Sequence, residues 1–218
     1  MRILLWAMAM AVCLAGGVLT GPARAQEIAD APAGKYTLDL AHARLIFRVG
    51  HLGFSRYMAL FTRFDAQLDF DPEAPESMAV RAQVEAASVE THYPDASFDF
   101  NAVLAGPDFL NAAVFPEIGF VSTAVKPTGA DTAEVTGDLT LHGVTKPMVL
   151  TVRFNGGYGG HPLDPGGARI GFSAEGRLLR SDYGVSLGIP APGDWMGVSD
   201  EVEVIIEAEF INPDAPKP

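Results

Sequence analysis

Two histidines, His42 and His51, bracket the segment "ARLIFRVG", and Asp39 precedes the first by three residues. A carboxylate beside an imidazole can orient a general base, and paired imidazoles can hold a transition metal. Nine positions of extended chain put these histidines roughly 30 Å apart, so they serve neither one metal nor one substrate together. His92, His142 and His161 are scattered, without His-x-His or Glu-x-x-His spacing. Asp39 and His42 fit a turn, where a hydrogen bond between them needs no catalytic role. No Gly-x-Ser-x-Gly elbow supplies a nucleophile. "RSDYG" (180–184) gathers Arg180, Asp182 and Tyr183 in a turn, as an internal ion pair or as the polar lip of a pocket. "GIPAPGDWMGV" (188–198) carries Trp195 and Met196 in a Pro- and Gly-rich connection. That connection either forms a lip touching ligand or membrane or packs on the outside of the fold. No catalytic set and no metal set emerges.

The chain itself limits the options further. Arg2, the apolar run "ILLWAMAMAVCLAGGVLT" and the "ARA" site at 23–25 read as a signal peptide over 1–25, cleaved on export to the periplasm. Cys13, the single cysteine, leaves with it, so the mature protein relies on its core and has no thiol chemistry. The formal charge is −12, and the leader removes two more positives, Arg2 and Arg24. Such a surface repels phosphate backbones and argues against nucleic acid. It gains nothing from anionic headgroups, so any membrane contact should be at most transient, brief or apolar.

The remainder is one domain, dominated by period-two alternation. In "VEVIIEAEF", Val202, Val204, Ile206, Ala208 and Phe210 share a face, and glutamates occupy most of the other. "AEVTGDLTL" and "MVLTVRFN" behave alike, and weaker copies run through 43–51, 60–70, 77–86, 118–126 and 168–179, with "KYTLDL" (35–40) at the start. About eight or nine strands with Gly/Pro/Asp turns predict an all-β antiparallel sandwich or barrel. Only 92–115 breaks the pattern, as one or two short helices. Residues 26–34 read as a flexible lead-in, 35–211 as the folded domain, and 212–218 as a loose tail. Phe47, Phe64, Phe120, Phe154 and Phe172 fall on inward faces of different strands, in company with Leu45, Val49, Leu68, Val152, Val204 and Ile206. Periodicity does not separate a filled interior from a hollow one, because both present the same residues inward.

The order of several short motifs resembles the YceI-like family of exported polyisoprenoid-binding proteins. They are "YTLDLAHARLIFRVGHLGFS" (36–55), "FTRFDAQLDFDP" (61–72), "DFLNAAVFPEIGFVST" (108–123), "GDLTLHGVTKPMVLTVRF" (137–154) and "RSDYG" (180–184). Two positions depart from the pattern. Asn101–Leu104 replaces the family's Asp-x-His-Leu, and Ala59 replaces a glycine. The resemblance implies a lipocalin-like antiparallel β-barrel of about eight strands, with the short helices near its mouth. It implies an apolar tunnel lined by the eleven inward residues, with Asp39, His42, His51, Arg180 and Trp195 as a polar mouth. The implied ligand is an isoprenoid lipid or quinone, held without any covalent cofactor, and a homodimer stays open. A binding protein, not an enzyme, is expected. The alternatives are catalysis on a bound isoprenoid through Asp39, His42 and Arg180, and a ligand-free stress-response module.

Overall fold

A computed structural model describes residues 31–215 apart from Pro165. The expected leader lies outside the described residues. Eleven strands form one antiparallel sheet: β1 (Gly34–Leu38), β2 (Arg44–His51), β3 (Ser55–Phe61), β4 (Phe64–Phe70), β5 (Ala79–Glu85), β6 (Val89–Glu90), β7 (Glu117–Pro127), β8 (Thr132–Leu141), β9 (Val144–Tyr158), β10 (Ala168–Leu179) and β11 (Val198–Asn212). The first six are three broken columns. A 3-10 turn at Leu40–His42 separates β1 from β2, and Thr62–Arg63 separates β3 from β4. β11 pairs with both β1 and β2, while β1 pairs with β4 and β2 with β3. Counted as columns, eight staves run up and down in chain order and close on themselves. Among the described residues, closure leaves no long unpaired edge.

The breaks have local causes. The Asp39 carboxylate accepts the Ala41 N–H at 3.1 Å and starts the 3-10 turn. At the second break, the buried Ser88 hydroxyl accepts the Arg63 N–H at 3.1 Å, in place of a ladder bond. β8 and β9 are joined by His142 and Gly143, both at positive φ (51° and 75°), the conformation of a two-residue hairpin turn.

One end of the barrel carries the β2–β3 turn, the excursion 91–116, the β8–β9 turn and the 180–197 connection; this is the upper end. The excursion holds a single helix, α1 (Phe100–Ala105), whose start is capped by Asp99 accepting the Ala102 N–H at 2.9 Å. Asn101, the departure from the family pattern, keeps a polar role. Its Oδ1 accepts the Thr91 N–H at 2.9 Å and the Thr91 hydroxyl at 2.6 Å, fastening α1 to the end of β6.

The lower end holds the first and last of the described residues and the β4–β5, β7–β8 and β9–β10 connections. The expected looseness of 26–34 and 212–218 does not extend to their described parts. Ala31 and Ala215 are buried against Tyr36, Phe70, Ile170 and Phe210. Tyr36, fully buried, donates its hydroxyl to the Pro32 carbonyl at 2.8 Å. The ordering follows from this apolar plug, and burial pushes the Tyr36 phenol up to about 12.

Candidate functional site

Alternation places the inward residues, and the barrel's girth decides what becomes of them. All eleven residues expected inside line one cavity of about 890 Å³: Leu45, Phe47, Val49, Phe64, Leu68, Phe120, Val152, Phe154, Phe172, Val204 and Ile206. At mid-barrel they point inward yet keep accessible surface. Phe47, Phe64, Val152, Phe154, Phe172, Val204 and Ile206 are only partly buried, because their inner sides meet the cavity. Phe120 differs. It is buried with Val135, Leu139, Met148, Leu150 and Tyr183, and its ring lies over Gly137 so closely that a Cβ there would come within 2.3 Å.

The lining reaches both ends. At the lower end it passes Pro72, Pro127 and Ala130. At the upper end it passes Tyr57, Tyr93, Phe98 and Phe100, which interlock edge-on or stacked with centroids 5.4–6.1 Å apart. Sequence reasoning missed this aromatic rim because 91–100 has no period to read; the density of rings in "THYPDASFDF" was its signal.

Charge is nearly absent from the wall. Asp131 touches the lower end, already paired with Arg153 at 2.8 Å. His51 touches the upper end from the tip of β2, and Arg180 lies beside it. Arg180 is buried, and it donates to four backbone carbonyls. Nε reaches Ser199 at 2.9 Å, Nη1 reaches Val185 at 3.2 Å and Leu187 at 2.8 Å, and Nη2 reaches Val198 at 2.9 Å. Burial holds its guanidinium below the usual arginine range, opposed by the nearby Asp200 charge. Arg180 is thus neither half of an internal ion pair nor a free lip. It pins the 184–199 segment to the barrel.

Asp39 and His42 do not belong to the mouth. The Asp39 carboxylate takes His42 Nδ1 at 2.8 Å, and Arg169 Nη1 donates to it at 2.6 Å and to Glu209 at 2.7 Å, on the outer wall. Arg169 Nε also reaches Asp164 at 2.8 Å. The 3-10 turn turns these side chains outward before β2 begins. Arg169, near the start of β10, and Arg180, just past its end, lie eleven positions apart, roughly 35 Å in extended chain. Asp39, His42 and Arg180 therefore do not share a site, and the catalytic alternative loses its constellation. Ligand-type atoms of Asp39, His42 and Glu209 lie within 4.8 Å of one another, but the Arg169 guanidinium already neutralises both carboxylates. Trp195 is also misplaced in the expected mouth. It lies outside the lining, against the Phe54 ring.

The Arg169 cluster makes stability depend on acid. Arg169, then His42, holds Asp39 down to about 2, and Arg169 holds Asp164 lower still. Depressed carboxylates contribute stability above their unfolded value near 3.9, and lose it as pH falls through the folded one. The urea midpoint should therefore drop between about pH 4 and pH 2. Arg169→Met should cost about 2–3 kcal/mol at neutral pH and flatten that acid limb. An unchanged limb in the variant would assign the acid transition elsewhere.

The family profile of the YceI-like domain matches residues 36–210. The chain belongs to the YceI-like family. A UPF0312 protein of Pseudomonas savastanoi pv. phaseolicola is 40% identical over 159 residues, 72% of this chain and 79% of that protein. A UPF0312 protein of Azotobacter vinelandii is 37% identical over 186 residues, covering 84% and 89%. Among solved structures, Burkholderia cenocepacia BcnA superposes with a TM-score of 0.65 at 26% identity, over 79% of this chain and 98% of that one. A polyisoprenoid binding domain from Saccharophagus degradans, implicated in plant cell wall breakdown, superposes at 0.55 and 16% identity, over 82% and 98%, and speaks to the fold alone. In this YceI-like barrel the family's opening motif forms β1, the 3-10 turn, β2 and the start of β3. "RSDYG" holds Arg180, the clamp of the upper end.

Proposed function

We propose that the protein is an exported carrier which holds one long isoprenoid chain, a quinone tail or a polyprenyl lipid, inside the barrel. The observation that carries this is the cavity of about 890 Å³ lined almost wholly by aliphatic and aromatic side chains. A closed fold left hollow there forgoes dispersion contacts that a filled core would make, which is hard to reconcile with a purely structural module. Taking roughly 30 Å³ per methylene-sized group, a water's share of the liquid, the cavity has room for on the order of thirty such groups, about six isoprene units. Each five-carbon unit gains roughly 3–4 kcal/mol gross on leaving water, much of it offset by ordering a flexible chain. Export is supported by the leader-like residues 1–25, and the ligand class by the almost wholly apolar lining.

Protein purified from its native periplasm should start near Gln26 by intact mass. Organic extraction should then release an isoprenoid. Stripping that lipid should lower Tm by several degrees, since ligand at 100 times its Kd adds about 2.7 kcal/mol, and re-adding it should restore the loss. Protein that arrives empty and gains no stability from any isoprenoid would end the carrier reading.

A further inference from the structure

The two ends of the barrel differ in what they show to water. At the upper end, Phe54 in the β2–β3 turn is 75% exposed, and Leu187, Trp195 and Met196 in the following connection are 54%, 56% and 55% exposed. These are tips, not walls of a groove. The Phe54 and Trp195 rings meet edge-on at 5.4 Å. The Leu52 N–H donates to the Gly197 carbonyl at 2.8 Å, and the Val198 N–H to Gly188 at 2.8 Å. The two segments are thus joined into one apolar prominence, with the Arg180 clamp behind it. On the same end, Tyr93 and Phe98 are almost half exposed yet also line the cavity. Apolar surface is therefore present both on the prominence and on the rim through which the tunnel opens. Among the described residues, the lower opening passes Pro72, Met78, Pro127, Ala130 and Asp131 and carries no exposed aromatic ring, and Leu163 in the β9–β10 connection is its most exposed apolar side chain.

We propose that the upper end docks on the surface of a lipid bilayer, with Phe54, Leu187, Trp195 and Met196 entering the headgroup layer and the aromatic rim facing the acyl chains. This rests on reading the interior as a lipid tunnel. A chain of several isoprene units does not cross water uncovered, so it must pass between hydrocarbon and tunnel at a mouth that touches hydrocarbon. The same end that carries the ring-lined opening carries the exposed tips, which ties the occupant of the prominence to the source of the ligand. Tryptophan and phenylalanine on convex tips suit the membrane interface. With a formal charge of −12 on the chain, the contact draws no strength from anionic lipid and is apolar.

The test is flotation with phosphatidylcholine–phosphatidylethanolamine vesicles, using protein whose intact mass shows Trp6 removed, so that Trp195 is the sole tryptophan. The parent should co-float, its emission should shift to the blue, and high salt should leave both unchanged. The triple variant F54S/W195S/M196S should partition about tenfold less or worse. In parallel, an isoprenoid presented in detergent reaches the tunnel without a bilayer, and should load parent and variant equally. A parent that loads from detergent but neither floats nor shifts overturns the docking and leaves the tunnel standing. A parent that loads nothing removes the tunnel, whatever floats. Flotation lost in high salt overturns the apolar contact. A dimer seen by sedimentation in the parent and absent in the triple variant would assign the prominence to a second copy of the chain.

Discussion

Alanine at Phe47 is expected to cost only about 1–2 kcal/mol of stability while removing most of the bound lipid; alanine at Phe120 should cost the full 3–5 kcal/mol of a packed core. The contrast follows from what each ring touches. Phe47 meets Phe61 at 5.6 Å on one side and the cavity on the other. Phe120 is buried in a cluster of large side chains and lies tight over Gly137. Phe64, Phe154 and Phe172 should fall between, the last two nearer Phe120 because they also pack against Phe70. Phe47→Asp should abolish loading, since it sets a charge against hydrocarbon. The complementary change fills the void. Val152 stands between Ala133 and Ala174 on neighbouring strands, all three on the cavity wall. Val152→Trp should load no lipid and keep its Tm within a few degrees, whereas the same overpacking of a solid core costs about 1–3 kcal/mol. Chemical denaturation and lipid content measured together decide this. Equal, large losses at Phe47 and Phe120, with an unfolded tryptophan variant, would mean that the interior is solid.

Most of the barrel was readable because a half-buried strand writes its environment into alternate residues. β8 and β11 are the clearest cases. β3 was hidden, since Met58 and Leu60 face outward among its inward Tyr57, Ala59 and Phe61, and the alternation disappears. The β3–β4 break was also hidden. It depends on Ser88 meeting Arg63 across 25 residues, a contact that leaves no periodic trace. Hollowness was illegible for another reason: it depends on how many columns close the ring, not on any residue's type.

The site divides the same way. The eleven lining residues follow from strand faces alone, and the Asp39–His42 hydrogen bond follows from their spacing in a turn. Arg169, which claims Asp39 from 130 residues away, does not. A charge on the outward face of an alternating strand carries no mark in the sequence of the partners it meets across the sheet. The aromatic rim at 93–100 is irregular chain, so only composition marked it. Arg180 carried the largest ambiguity, because its partners are main-chain carbonyls, which every residue possesses.

That main-chain pinning gives Arg180 a larger role in stability than its place in a short polar motif suggests. Arg180→Met should cost about 3–5 kcal/mol, because four main-chain carbonyls, one buried and three partly buried, lose their donors at once and no other donor replaces them. Arg180→Lys should recover only part. An ammonium has three donors from a single nitrogen, and these do not span carbonyls fanned out along Val185, Leu187, Val198 and Ser199 as a planar fork does. The damage should be local before it is global. Amide exchange should accelerate across 184–199 at temperatures where β8 and β9 stay protected. Membrane partitioning should fall with it, since Leu187, Trp195 and Met196 sit on the released segment. Detergent-delivered isoprenoid should still load at temperatures where the barrel is intact, because the guanidinium nitrogens of Arg180, although the residue reaches the cavity lining, are already engaged by main-chain carbonyls. If Arg180→Met keeps its stability and its exchange pattern but loses the lipid, the guanidinium binds the ligand's head, and the clamp is secondary.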